Sequence, residues 1–212
     1  MKFRNTILIL NGDMPPARIF KKLRRKDDYI ICADGGANNA RKAGIETDII
    51  IGDFDSITRS TLNFYNKKNT KLLRISEQDT TDLEKSLMYI VENGLDNLLI
   101  FGAISGRPDH TLNNFSVFKR YSKILRMRIF DRTFEIYFIN GRTEFSYRKG
   151  HTVSLIPMPL AEGIITKGLK YALKGESLES GIREGALNVS SAAKVTVEFK
   201  SGELLLFKKH FL

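Results

Sequence analysis

A rhythm in the first half of the chain restricts its fold most: short runs of almost purely apolar residues, each followed by a segment of helical character. The runs are "TILIL" (Thr6–Leu10), "YIIC" (Tyr29–Cys32), "DIII" (Asp48–Ile51), "TKLLRI" (Thr70–Ile75) and "NLLIF" (Asn97–Phe101). They have strand length and little of the polar alternation of a strand with one wet face. Such strands belong in a parallel sheet covered on both sides. Between them, a helix is expected to start near Pro15–Pro16, because proline fits a first helical turn. A second covers Ala37–Lys42 and is stopped by Gly44. A third covers Asp82–Glu92, with Leu83, Leu87, Ile90 and Val91 on one face and Gly94 beyond its end. Thr81 and Glu84 have the spacing of a capping box at its start. A fourth runs from Pro108 to about Tyr121.

After about residue 125 the rhythm changes. "EIYFI", "TEFSYR", "HTVSLIPM", "AKVTVEFK" and "ELLLFKK" read as strands without long helices between them, and Asn140–Gly141 and Ser201–Gly202 look like hairpin turns. The expected organisation is an α/β domain over residues 1–124, mostly parallel with helices on both faces. A smaller antiparallel β domain follows over residues 125–212.

Composition narrows the classes of function. No stretch approaches the roughly 18 consecutive apolar residues of a membrane span, and the apolar stretch near the N-terminus is shorter than a secretory leader's, with no small-residue cleavage site after it. A single cysteine, Cys32, leaves no disulfide framework and no thiolate zinc site. A soluble cytoplasmic protein without a membrane partner is expected. The formal charge of +10 raises nucleic acid as a partner. Between residues 27 and 110, however, acids outnumber bases, and the surplus lies in "KKLRRK" (Lys21–Lys26) and the last third. The informative chemistry is therefore in the acidic middle, and a nucleic-acid partner is not expected.

In open α/β sheets, ligands bind beyond the carboxyl ends of the strands. Gly35–Gly36, Gly52, Asp53, Asp55 and Gly102 all fall just after expected strands. "ADGGANN" puts Asp34 at a strand end, beside glycines that let a ligand approach the backbone. An extended chain from Asp53 to Asp55 would point both side chains the same way. Two close carboxylates repel unless a cation lies between them, and Mg²⁺ suits oxygen ligands of this kind. The plainer alternative makes both acids turn and capping residues, which Ser56 and Thr58 would accommodate. "SEQDTTDLEKSL" presents Gln78, Asp79, Thr81, Asp82 and Lys85 at a helix start. Asp79, Asp82 and Lys85, spaced by three, could share one side of it; acids there otherwise simply oppose the helix dipole. "GAISGRPDHTLNN" sets Arg107, Asp109 and His110 at another helix start, where free N–H groups and a two-pronged guanidinium suit phosphate. "NGD" (Asn11–Asp13) is by itself only a turn signal. Walker A, G-x-G-x-x-G and G-x-S-x-G patterns are absent from the sequence.

In this order and spacing, "ADGGANNA", "IGDFDS", "QDTTDLEKSL" and "GRPDHTLNN" resemble the thiamine pyrophosphokinase (thiamine diphosphokinase) family. A weaker similarity continues through "GLKYALKGESLESGIREGALNVS" (Gly168–Ser190). The resemblance implies transfer of diphosphate from ATP to the hydroxyethyl group of thiamine, with release of AMP and with Mg²⁺ as cofactor. It also implies that the second domain is a β-sandwich and that thiamine binds at a homodimer interface. By the same resemblance, Asp53, Asp55 and Asp82 are the metal acids, with Asp34 and Asp79 close by, and Lys85 and Arg107 join them in catalysis. Gln78, Thr81, Lys85, Arg107, Asp109, His110 and Asn113 form the nucleotide and phosphate set. Asn188 matches the asparagine that contacts thiamine in the family; the expected mechanism, separate from the resemblance, has a carboxylate, either Asp79 or Asp109, orient or deprotonate the thiamine hydroxyl. Two positions depart from the family pattern: Leu187 replaces a serine beside Asn188, and Ser105 stands where a glycine is frequent. Two rival readings are a Mg²⁺-dependent phosphohydrolase using the same acids on water, and a basic nucleic-acid-binding module built on Lys21–Lys26 and the β domain.

Overall fold

The computed structural model describes residues 5–212; residues 1–4, the start of the stretch read for a leader, lie outside it. The chain divides into two compact units, Met1–Arg132 with Leu212, and Thr133–Phe211.

Among the described residues, the first unit contains six strands: β1 (Thr6–Ile9), β2 (Tyr29–Ala33), β3 (Ile49–Gly52), β4 (Lys71–Arg74), β5 (Leu98–Phe101) and β6 (Met127–Phe130). Its helices are α1 (Ala17–Leu23), α2 (Gly36–Lys42), α3 (Arg59–Lys67), α4 (Asp82–Glu92) and α5 (Pro108–Tyr121). The strands stand in the order β4-β3-β2-β1-β5-β6, and every pairing is parallel. In the middle, Leu8 stands in register with Ile31 on one side and Ile100 on the other. Right-handed crossovers dictate the layers. Stepping from β1 to β4 carries α1, α2 and α3 along one face; returning to β5 and then β6 reverses direction and carries α4 and α5 along the other. The reversal falls between β1 and β5, where a doubly wound sheet leaves its ligand crevice.

The all-apolar strands are buried on both sides as their composition requires: Ile7, Leu8, Ile9, Ile49, Ile50 and Ile51 are all fully shielded. Helix α3 escaped the sequence reading because "RSTLNFYNK" is mostly polar and only Thr61 and Tyr65 are buried along it. Its signal was Thr58, whose hydroxyl caps the helix by accepting from the Thr61 N–H. The Tyr65 hydroxyl donates to the Ile45 carbonyl at 2.8 Å. Strand β6 also went unmarked. It extends the parallel sheet beyond β5, so the first unit ends at Arg132, past the expected boundary at residue 124. The sequence boundary was drawn where the last long helix ends, one strand too early.

The second unit is an antiparallel sandwich of β7 (Phe134–Ile139), β8 (Thr143–Ser146), β9 (Thr152–Lys167), β10 (Lys174–Glu179), β11 (Gly185–Val189), β12 (Lys194–Glu198) and β13 (Ser201–Lys209). Its organiser is β9, sixteen residues long, which pairs with β10, β11, β12 and β13. Val153, Leu155, Ala161 and Ile164 of β9 pack with Val195, Val197, Leu204 and Leu206 to form the core. This arrangement corrects both hairpin expectations. β9 lies between β12 and β13, and within this unit's run of strands, β7-β13-β9-β12-β8, β7 and β8 stand at opposite ends. Gly141 does turn the chain with a left-handed φ of 59°, but the strands flanking it are not neighbours. Strands β10 and β11 were unmarked because "KGESLE" and "GALNV" bury little. Among the described residues, no helix is long and apolar enough to cross a membrane.

Candidate functional site

A cleft of about 810 Å³ opens where β1, β2, β3 and β5 end, at the point of strand-order reversal. One side is made by two loops that touch because both carry glycine. Gly12 N–H donates to the Gly102 carbonyl at 2.9 Å and Asp13 N–H to the Ile104 carbonyl at 2.7 Å. A Cβ on Gly12 would lie 2.4 Å from each of those carbonyl oxygens, so no larger residue permits this contact. Asn11 and Gly12 of "NGD" are thus part of the cleft wall.

Asp53, Asp55 and Asp82 also line the cleft, and the buried Asp34 converges with the first and last of them. Asp34, at the end of β2, is buried; its Oδ1 accepts from the Ile57 N–H at 2.9 Å and its Oδ2 from the Ser56 N–H at 3.4 Å. Asp53, just past β3, accepts from the Asp55 N–H at 3.0 Å and from Gln78 Nε2 at 2.9 Å. Asp82 opens α4, with Thr81 capping the helix before it. One carboxylate oxygen from each of Asp34, Asp53 and Asp82 lies within 4.8 Å of the others. Gly52 permits this convergence: a Cβ there would be 2.7 Å from Asp34 Cβ and 3.1 Å from Asp82 Oδ1.

The electrostatics record the crowding. Burial pushes Asp34 up to about 6; the Ser56 N–H opposes the shift and the charge of Asp82 adds to it. Burial also raises Asp82, against the pull of Lys85. The Asp55 N–H holds Asp53 below the usual carboxylate range. A hard cation taking one oxygen from each acid would relieve this repulsion, and the donor set, all carboxylate, fits Mg²⁺.

Two expectations require correction. The chain is not extended between Asp53 and Asp55: Phe54 takes a left-handed φ of 70°, and the Asp55 N–H folds back onto Asp53. Alternation along a strand therefore does not bring these two side chains together. Asp55 still lines the cleft, its carboxylate accepting from the Ser56 hydroxyl at 2.7 Å, but the third acid of the converging group is Asp34. Asp79 does not share a helix face with Asp82 and Lys85, because α4 starts only at Asp82. Asp79 is exposed, in a turn whose backbone N–H groups donate to Glu77. The expected capping box is half present: the Thr81 hydroxyl accepts from the Glu84 N–H at 3.3 Å, while the Glu84 carboxylate pairs with Arg120 at 2.6 Å.

Lys85 is only 4% exposed, and its ammonium reaches Asp82 at a long 3.5 Å. It lines the cleft, so a bound anion is the natural complement to a cation this poorly matched. Arg107 and Asp109 form a two-pronged ion pair at 3.0 and 2.5 Å at the start of α5. Arg107 holds Asp109 down at about 2. Pro108 occupies the first turn as expected. Gln78, Thr81, Arg107, Asp109, His110 and Asn113 all border the same cleft as the acids. The sequence reading passed over Asn114, whose Nδ2 donates to the Ala103 carbonyl at 2.8 Å and so ties α5 to the glycine loop.

Asn188 belongs to the second unit, in β11. Its amide faces the backbone of Tyr171, accepting from its N–H at 3.1 Å and donating to its carbonyl at 2.8 Å. Beside it, Leu187 is 77% exposed and has a left-handed φ of 58°. The departure from serine thus places an apolar side chain in the open.

These features mark a doubly wound α/β protein with an acid-lined cleft at its switch point and an antiparallel sandwich after it. Residues 20–130 match the model of the thiamin pyrophosphokinase catalytic domain, and residues 139–204 that of the thiamin pyrophosphokinase vitamin B1 binding domain. The chain belongs to the thiamine pyrophosphokinase family. It is 31% identical over 226 residues to thiamine pyrophosphokinase 1 of Arabidopsis thaliana, covering 93% of this chain and 84% of that protein. It is 29% identical over 216 residues to thiamin pyrophosphokinase 1 of Caenorhabditis elegans, covering 93% and 86%. The crystal structure of thiamine pyrophosphokinase from Bacillus subtilis superposes with a TM-score of 0.85 at 25% identity, over 98% of this chain and all (100%) of that one. Thiamin pyrophosphokinase from Candida albicans shares the fold, with a TM-score of 0.84 at 21% identity over 98% and 89%.

Proposed function

We propose that this chain transfers the terminal diphosphate of ATP to the hydroxyl of thiamine, yielding thiamine diphosphate and AMP. The observation that carries this reading is the switch-point cleft, where Asp34, Asp53 and Asp82 converge opposite an arginine-headed helix start and beside a buried lysine. The thiamine hydroxyl attacks the β-phosphorus and gives up its proton to solvent, the bond between that phosphorus and the α,β-bridging oxygen breaks, and AMP departs. Transfer of this type needs positioning and neutralised charge more than covalent help. A Mg²⁺ ion held by Asp34, Asp53 and Asp82, with Asp55 in reach of the same cleft, would supply Lewis-acid neutralisation of the polyphosphate. Lys85 and Arg107 place positive charge beside it, and the Asp109 N–H in the first turn of α5 would donate to a phosphate oxygen. Gln78 and Thr81 hold the acids and the start of α4 in place. Asp109, held at about 2 by Arg107, is a weak base; its part is to aim the guanidinium. On the same reading the second unit provides the thiamine contacts, with Asn188 shaping the pocket through Tyr171, and the chain works as a cytoplasmic homodimer.

Incubating the protein with ATP, Mg²⁺ and thiamine tests the function. AMP and thiamine diphosphate should appear in equal amounts, and AMP should not form without thiamine. ATP consumption that ignores thiamine would instead indicate the phosphohydrolase.

The acid cluster also sets a pH dependence. Asp34 titrates near 6 when folded, against about 3.9 for an ordinary aspartate. In the metal-free chain its contribution to stability is full below the ordinary range and is lost as pH rises through about 6. A bound cation replaces that proton, so metal affinity grows over the same window. Saturating Mg²⁺ should therefore raise Tm more at about pH 7.5 than at about pH 5.5. Equal shifts at both values would contradict a metal site that includes Asp34.

A further inference from the structure

We infer that Asn38 and Asn39, adjacent on α2, are positioning residues that lock the two sides of the cleft into one geometry for the transfer proposed above, a role that rests on that reading. Neither side chain lines the cleft; each acts through backbone that does.

Asn38 grips the acidic loop. Its Oδ1 accepts from the Thr58 N–H at 3.0 Å and the Thr58 hydroxyl at 3.1 Å, and its Nδ2 donates to the Ser56 carbonyl at 3.0 Å. The stretch from Asp53 to Thr58 belongs to no strand or helix, and it contains the left-handed Phe54. Its backbone has no ladder to hold it. The side chains of Asp34 and Asn38 provide the missing partners for Ser56, Ile57 and Thr58. The loop that follows Asp53 is therefore held from α2 and the turn before it.

Asn39 grips the other side. Its Nδ2 donates to the Leu10 carbonyl at 3.0 Å and the Gly12 carbonyl at 2.8 Å. Those residues carry the β5 loop with them, because Leu10 N–H donates to Phe101 and Gly12 N–H to Gly102. Consecutive helical residues point about 100° apart, so two neighbouring asparagines can reach loops on different sides of one short helix. The result is a shared anchor for the acidic loop and the two glycine loops. An alanine at either position leaves the lining side chains intact but frees the loop beneath them. Partners of this outer kind typically change metal affinity or activity by about 10–100-fold.

The two variants should therefore fail differently. Asn38→Ala should raise the Mg²⁺ concentration for half-maximal rate about tenfold and leave the KM for ATP at saturating Mg²⁺ unchanged. Asn39→Ala should raise the KM for ATP about tenfold and leave the Mg²⁺ requirement unchanged. Asn38→Asp, which keeps the acceptor facing Thr58, should recover part of the loss. Amide hydrogen exchange gives a readout that needs no turnover. Asn38→Ala should speed exchange at Ser56, Ile57 and Thr58 only, and Asn39→Ala at Gly12 and Asp13 only. The inference is overturned if both variants shift the same parameters together, or if Tm falls while kinetics and exchange stay at wild-type values. If the wild-type chain forms no thiamine diphosphate, the functional reading fails, and the exchange contrast alone still decides the anchor: separate patterns support it and a common pattern removes it.

Discussion

Asp53→Asn is expected to lower kcat roughly a thousandfold, the scale of losing several kcal/mol of charge stabilisation in the transition state, while the fold survives. Asparagine keeps a carbonyl oxygen where Asp53 Oδ1 accepts from the Asp55 N–H, so the turn after β3 retains its partner. Its new amide nitrogen faces the Gln78 side chain, which can rotate to present oxygen. The site is half-exposed, away from the packed core. What disappears is one negative charge from the converging group. The variant should therefore also lose most of the Tm increase that Mg²⁺ gives the wild type. Activity within about threefold of wild type, a change of under about 1 kcal/mol, would remove Asp53 from the chemistry.

Lys85→Met should separate function from stability more sharply. The methionine replaces an aliphatic stem of similar length at a site that is 4% exposed, so packing along α4 is preserved. Asp82 loses its cation partner and takes up a proton more readily, a direction it already shows through burial. Removing one partner of a buried ion pair ordinarily destabilises because the other charge is left uncompensated, but here the pair is long, 3.5 Å, and Asp82 is 30% exposed and can protonate. Tm is accordingly expected to fall only modestly. Turnover should not: removing one charge aimed at developing negative charge costs about a hundredfold to a thousandfold. The drop should appear in kcat/KM for ATP. A lower Tm with unchanged kcat/KM would make Lys85 a structural partner of Asp82 and nothing more.

Much of this was legible in the residues. Four of the six parallel strands announced themselves because a strand buried on both faces must be apolar throughout, as "III" and "LLIF" are; the edge strand β4, half-exposed along "KLLR", was legible from its two leucines. The helix over Asp82–Glu92 was legible down to its cap, because Thr81 and the spacing of Leu83, Leu87 and Ile90 each carry a local signal. Helix α3 was not, since its burial rests on two side chains and its stability on contacts distant in sequence. The hairpins at Asn140–Gly141 and Ser201–Gly202 misled for a related reason: a glycine turn reports local bending, whereas strand partnership depends on where β9 settles.

At the cleft, the acidic motifs pointed to the right edge of the sheet, but not to which acids meet. Asp53 and Asp55 are close in sequence, yet Phe54 turns the chain between them. Asp34 arrives from a different strand, and its approach depends on Gly52 having no side chain. Asn38 and Asn39 stand inside "ADGGANNA", but no role was legible for them, because apart from the Thr58 hydroxyl their partners are main-chain atoms, which carry no sequence signature.

The central claim is a cation shared by acids from the ends of β2 and β3 and the start of α4, with a polyphosphate bound against it. The most direct measurement is a crystal structure with Mn²⁺ in place of Mg²⁺ and a non-hydrolysable ATP analogue, read by anomalous scattering. The expected map has a manganese peak among the carboxylates of Asp34, Asp53 and Asp82, and a phosphate oxygen within hydrogen-bond reach of the Lys85 ammonium. A bound analogue with no manganese among those three side chains would contradict it.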